Sequence, residues 1–125
     1  MSQLLNLSNG GIAPSPPPFT VTTVSNATGD LITVALGATP ATYQFEARVK
    51  GFDSATPAGV GYNVYGTFRT NGTTATLIGN QDIFNEDTAL QDADAYFIAS
   101  GNNAILQVLG QNTKTIVWNA TIQVT

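Results

Sequence analysis

The chain has 125 residues, with four Lys/Arg, eight Asp/Glu, no His and no Cys. That length fits one domain able to bury a core without disulfides or metals, and the missing Cys and His remove thiol nucleophiles, zinc fingers and imidazole bases. A net charge of −4 with only 10% charged residues lacks the basic footprint that nucleic acid requires, so no nucleic-acid partner is expected.

Residues 1–18 read as an extended arm. The Ser-Asn-Gly-Gly step at 8–11 is flexible, and Pro-Ser-Pro-Pro-Pro at 14–18 favours polyproline II. Leu4, Leu5, Leu7 and Ile12 are its apolar content. A disordered leader is one reading; an arm that docks on a neighbouring subunit is the other. The start has no basic region followed by a long apolar stretch, so no secretory leader is expected. The longest apolar run covers about five residues, 95–99, against roughly 20 for a membrane helix, so no membrane partner is expected. The Asn-x-Ser/Thr triplets at Asn6, Asn26, Asn71 and Asn119 are those a composition so rich in Asn and Thr produces by chance.

From Phe19 onward the pattern is β. Thr, Val, Ile, Tyr and Phe suit pleated strands, while Asn and Gly suit tight turns. Residues 19–24 alternate, 25–30 turn, and 31–36 return as a strand closed by Gly-Ala-Thr-Pro at 37–40. Residues 43–52 place Tyr43, Phe45, Ala47 and Val49 on one face and Gln44, Glu46, Arg48 and Lys50 on the other. A loop follows at 53–59. Residues 60–70 then alternate Tyr62, Val64, Gly66 and Phe68 against Asn63, Tyr65, Thr67 and Arg69. Asn71-Gly72 predicts a type I′ hairpin into a strand at 73–78, and Gly79-Asn80 predicts a second turn. Residues 81–95 are expected to hold a short edge strand at 82–86 and a loop. Strands at 93–99, 103–109 and 115–124 complete the series, the last with Ile116, Trp118, Ala120, Ile122 and Val124 on one face. Eight to nine strands at this spacing, without helical periodicity, predict an all-β antiparallel sandwich or jelly roll over residues 19–125.

Ionisable groups cluster at Asp82, Glu86, Asp87, Asp92 and Asp94. The spacing does not match an EF-hand loop, so the segment is read as a solvated edge or intersubunit contact, with weak Ca²⁺ binding as the alternative. No serine has a His base or a Gly-x-Ser-x-Gly elbow, and Gly59-Val60-Gly61 has no following helix to form a phosphate loop. The chain is expected to be no enzyme, with no catalytic residue, metal or cofactor. Tyr62, Phe68, Phe97 and Trp118 are assigned to the core, and Tyr65, in phase with Asn63 and Thr67, to the outside. Arg48 and Arg69 are expected on outward faces, pairing with Glu46, Asp53 or the acidic segment and setting interface specificity.

Several steps occur in a fixed order: Tyr-Gln-Phe-Glu-Ala-Arg-Val-Lys-Gly at 43–51, Gly-Thr-Phe-Arg-Thr-Asn-Gly at 66–72, Ala-Thr-Leu-Ile-Gly at 75–79, Asn-Glu-Asp at 85–87, Ser-Gly-Asn-Asn-Ala-Ile-Leu-Gln-Val-Leu-Gly at 100–110 and Thr-Ile-Val-Trp-Asn at 115–119. This run resembles a β-sandwich domain of tailed-bacteriophage structural proteins, seen in tail fibres and as small capsid-associated proteins. The resemblance implies a virion role, often trimeric assembly, and no catalytic residues. Tail fibres are long chains, so an 18-residue arm before one domain fits a small capsid decoration (cement) protein better. The implied location is the capsid surface, with the major capsid protein or other virion proteins and sister copies in a homotrimer as partners. The alternative is a tail fibre or spike-associated module, or a glycan-binding one. The interface residues expected are Leu4, Leu5, Leu7, Ile12, Pro16, Pro17 and Pro18 of the arm, with Arg48, Arg69 and Tyr65 of the body.

Overall fold

A computed structural model describes residues 3–6 and 19–125. The strands, in chain order, are β1 (Gln3–Asn6), β2 (Phe19–Val24), β3 (Thr28–Ala35), β4 (Ala41–Asp53), β5 (Ala58–Thr70), β6 (Ala75–Glu86), β7 (Asp94–Ser100), β8 (Asn103–Leu109) and β9 (Thr115–Val124). One 3-10 turn, Thr88–Leu90, bridges β6 and β7. The strands form two sheets, ordered β1-β3-β8-β7 and β2-β9-β4-β5-β6. Pairing is antiparallel throughout except for β1, which runs parallel to β3 with Leu4 opposite Thr33 and Leu5 opposite Val34. The expected all-β sandwich is the fold observed. Part of the expected arm is thus a strand of the smaller sheet, while Leu7, Ile12, Pro16, Pro17 and Pro18 lie outside the described residues.

Period-2 alternation builds the core. On β4, Tyr43, Phe45, Ala47 and Val49 are buried, and on β9, Ile116, Trp118, Ala120, Ile122 and Val124 join them. The facing sheet contributes Leu31, Ile32, Val34, Ala95, Phe97, Leu106 and Val108. Phe45, Phe68 and Phe97 form a mutual cluster with ring centroids 5.3, 5.6 and 5.9 Å apart. Gly66 makes this possible, because a Cβ there would stand 2.7 Å from the Phe97 ring. Trp118 is fully buried, and its indole N–H donates to the buried Thr23 Oγ1 at 2.9 Å. Two polar knots close the ends of the sandwich. At one end Asn102 accepts from the Thr70 hydroxyl and donates to the Gly37 carbonyl at 2.7 Å. At the other, the Ser25 N–H donates to the Lys114 carbonyl (2.8 Å) and the Gly110 N–H to that of Ala27 (2.9 Å).

Three local expectations are corrected. The connection at Asn71 is a four-residue loop, 71–74, because Thr70 pairs with Ala75. Only Gly72 has a positive φ there (+98°), whereas a type I′ turn needs two such residues. The Asn71 side chain instead organises the loop by accepting from the N–H groups of Thr73 and Thr74 at 2.9 and 2.8 Å. Gly79-Asn80 is no turn either: β6 runs through it, and the register steps so that Phe68 faces Leu77 and Thr67 faces Gly79. Ile78 is the extra residue of this bulge, and the two predicted short strands are one long edge strand.

Candidate functional site

The outer face of the five-stranded sheet is a ladder of polar rungs. One rung runs Asn85, Gly61, Lys50, Asn119, Thr20; the next runs Ile83, Asn63, Arg48, Thr121; the third runs Gln81, Tyr65, Glu46, Gln123. Rungs are spaced by two residues along a strand, roughly 7 Å. Thr20 donates to Asn119 Oδ1 at 3.0 Å, which fixes the amide at the end of the first rung.

Several shallow hollows open on this face. The first, about 440 Å³, is lined by Arg48, Lys50, Gly61, Asn63, Ile83, Asn85, Asn119 and Thr121. Its depth comes from Gly61, where a Cβ would meet no atom within 4 Å. The second, about 480 Å³, lies further along the same strands between Gln44, Glu46, Tyr65, Thr67, Gln81 and Gln123. Arg48, Tyr65 and Arg69, expected on outward positions, therefore share one face, with Tyr65 36% exposed and Arg69 beyond it opposite Thr42 and Thr76. Leu4 and Leu5 lie on β1, in the other sheet. The contributions of Gly61, Asn85, Asn119 and Thr121 were not foreseen. Alternation alone puts each outward, but only the register across four strands puts them on adjacent rungs.

Asp53 is not a partner for Arg48, being five residues away and so on the opposite side of the strand. It is buried, and its carboxylate accepts from the Ala55 N–H (3.0 Å) and the Thr56 hydroxyl (2.5 Å). Those bonds, with Lys114 nearby, hold its carboxyl below the usual carboxylate range despite burial. The acids of the 82–94 segment are likewise dispersed into local roles. Glu86 accepts from the Tyr62 hydroxyl at 2.5 Å, Asp87 from the Gly59 N–H at 2.8 Å and Asp94 from the Ala95 N–H at 2.8 Å. Among the described residues no group of three acids converges as a metal would require. Burial and the Glu86 bond push the Tyr62 phenol well up. Burial also lifts the Asp94 carboxyl, offset in part by the Ala95 N–H and reinforced by Asp82.

Apart from Val24 at the end of β2, large aliphatic and phenyl side chains among the described residues remain exposed in two places. Phe52 and Val117 are paired neighbours at one end of the outer face, 51% and 43% exposed. Along edge strand β6, Ile78, Ile83 and Phe84 are 54%, 65% and 54% exposed.

The fold and this face define a β-sandwich domain presenting a broad, amide-rich sheet surface with an apolar edge. No protein-family model matches the chain, and no curated protein matches it in sequence. Solved structures similar to it include three phage proteins. They are the tailspike protein of Acinetobacter baumannii phage AM24 (7% identity, TM-score 0.38, 90% of this chain and 26% of that one), that of Acinetobacter phage vB_ApiP_P1 (13%, 0.39, 85% and 22%), and tailspike protein gp49 of Acinetobacter baumannii bacteriophage Fri1, a capsular polysaccharide depolymerase (12%, 0.36, 85% and 17%). The chain thus spans about a quarter or less of the length of each.

Proposed function

We propose that this chain is a non-enzymatic structural protein of a bacteriophage virion: a capsid decoration protein that binds the outer shell as a homotrimer, stabilises subunit junctions and is anchored by residues 1–18. The observation that carries the reading is β6. It is a twelve-residue edge strand with Ile78, Ile83 and Phe84 exposed. Unpaired edges with apolar side chains are assembly-prone unless a partner covers them. Covering the half to two thirds of each side chain that is still exposed contributes about 1–2 kcal/mol. The sparsely charged surface helps, since docking an Asn/Thr-rich face strips water from few charges. The motifs resembling phage structural domains fall on β4 through β9 and so span both sheets.

Separating virions that carry the chain into heads and tails, and counting it in each by mass spectrometry, tests the proposal. Recovery with heads, in numbers comparable to the capsid subunits, is expected. Recovery with tails alone overturns it.

The second reading is a tail fibre or spike-associated glycan-binding module, which recovery in a few copies with tails would support. It is favoured by the exposure of Tyr65 beside two hollows rich in amide and hydroxyl side chains, the kind of surface on which a sugar ring stacks and bonds.

A further inference from the structure

We infer that the hollow over Gly61 is a binding site for an acidic saccharide, with Arg48 and Lys50 taking its carboxylate or sulfate. This deepens the glycan-binding reading and rests on it. The chain is acidic, with only four cations in 125 residues. Two of them, Arg48 and Lys50, occupy successive outward positions of β4 and line the same hollow. No carboxylate lines it. The nearest outward acid on the strand, Glu46, stands one rung further along, opposite Tyr65 and Gln123. On the other flank Glu86 is engaged by the Tyr62 hydroxyl and Asp87 by the Gly59 N–H. The lining of this hollow therefore carries two positive charges and no negative one on a negative molecule, and the missing side chain at Gly61 lets a ligand reach the strand between Lys50 and Asn85.

The rest of the lining selects the ligand class. Asn63, Asn85, Asn119 and Thr121 provide paired donors and acceptors, which match vicinal hydroxyls, while Ile83 provides a small apolar contact for a ring face. Tyr65 extends the surface by one rung and offers a ring to the next sugar, so an oligosaccharide is favoured over a single residue. Arg48 would grip a carboxylate through two parallel N–H bonds, whereas Lys50 acts as a point charge.

The test titrates the full-length protein by calorimetry with four acidic probes (a galacturonate tetramer, a hyaluronan tetrasaccharide, sialyllactose and a heparin tetrasaccharide), a neutral maltotetraose and a polyglutamate peptide. Saturable binding of at least one acidic saccharide is expected, weakened about tenfold in Arg48→Gln and in Lys50→Gln and by added salt. Arg48→Lys should recover only part of the loss. Both residues are exposed, so unchanged circular dichroism and melting will show that the variants fold. Equal binding of maltotetraose, dependent on Tyr65 but not on Arg48 or Lys50, overturns the acidic assignment and leaves the glycan reading standing. Polyglutamate binding with the same sensitivity to both variants makes the hollow a docking site for an acidic protein surface instead. Binding of no saccharide overturns both this inference and the glycan reading, while leaving the head-and-tail count to judge capsid decoration.

Discussion

Replacing Thr23 by Val should destabilise the domain out of proportion to the atoms changed. The two side chains have nearly the same shape, so no cavity opens. What is lost is the acceptor for the Trp118 indole N–H, 2.9 Å away, in a place where Thr23 is 2% exposed and Trp118 is not exposed at all. A buried donor left unpaired costs about 1–3 kcal/mol. With an unfolding entropy of roughly 2.1 cal/mol/K per residue, each kcal/mol lowers the melting temperature of a domain this size by about 4 °C, so a fall of about 4–12 °C is expected. Trp118 is the single tryptophan, so its fluorescence reports the transition directly. Thr23→Ser keeps the acceptor and should lose less than Thr23→Val. In a double-mutant cycle with Trp118→Phe, followed by circular dichroism, the two changes should cost less together than their sum, with about 1 kcal/mol of coupling. A Thr23→Val variant within about 0.5 kcal/mol of the parent would show that the indole N–H draws nothing from this bond.

Gly66→Ala should cost about 1–3 kcal/mol in urea denaturation by driving a Cβ to within 2.7 Å of the Phe97 ring, and in a double-mutant cycle Phe97→Ala should cost less in the Gly66→Ala chain than in the parent. The pH dependence of melting should show two acids with opposite signs. Asp53 has a folded pKa below its unfolded value of 3.8, so its contribution is present above that pH and lost as pH falls through the folded value; Asp53→Asn should flatten this acid limb and lower stability at neutral pH. Asp94 has a raised folded pKa, so stability is gained as pH falls through it, and Asp94→Asn should raise the melting temperature at pH 7 and abolish that gain. Removing residues 1–18 takes away β1, a four-residue edge strand, so circular dichroism should keep a β spectrum of slightly lower amplitude, and light scattering should still give a trimer. A monomer in both forms would count against trimeric assembly through the sandwich.

Much of the architecture was legible along the chain because alternation is local. The buried and exposed residues of β4, β5 and β9 follow directly from the two-residue repeat, and Arg48, Tyr65 and Arg69 point outward as that repeat requires. Turn chemistry was less reliable. The Asn71-Gly72 and Gly79-Asn80 pairs carry the same kind of residues, yet one closes a four-residue loop and the other continues a strand through a bulge. A glycine permits a turn without requiring one; the hydrogen bonds available from β5 decided the outcome. The acidic segment suggested a cluster, but Glu86, Asp87 and Asp94 each take a different hydrogen-bond donor in the fold.

The amino-acid sequence by itself thus determined the strand class, the inward and outward sides of each long strand, and a surface of amides and hydroxyls with few charges. Tertiary structure alone decided that β1 closes the smaller sheet in parallel, that Phe97 settles over Gly66 from the opposite sheet, and that Asn85, Gly61, Lys50 and Asn119 align on one rung. The reason is one of range. Side-chain direction is set by neighbours two residues away, whereas register between strands is a choice among pairings of residues tens of positions apart, settled only when the whole core packs at once.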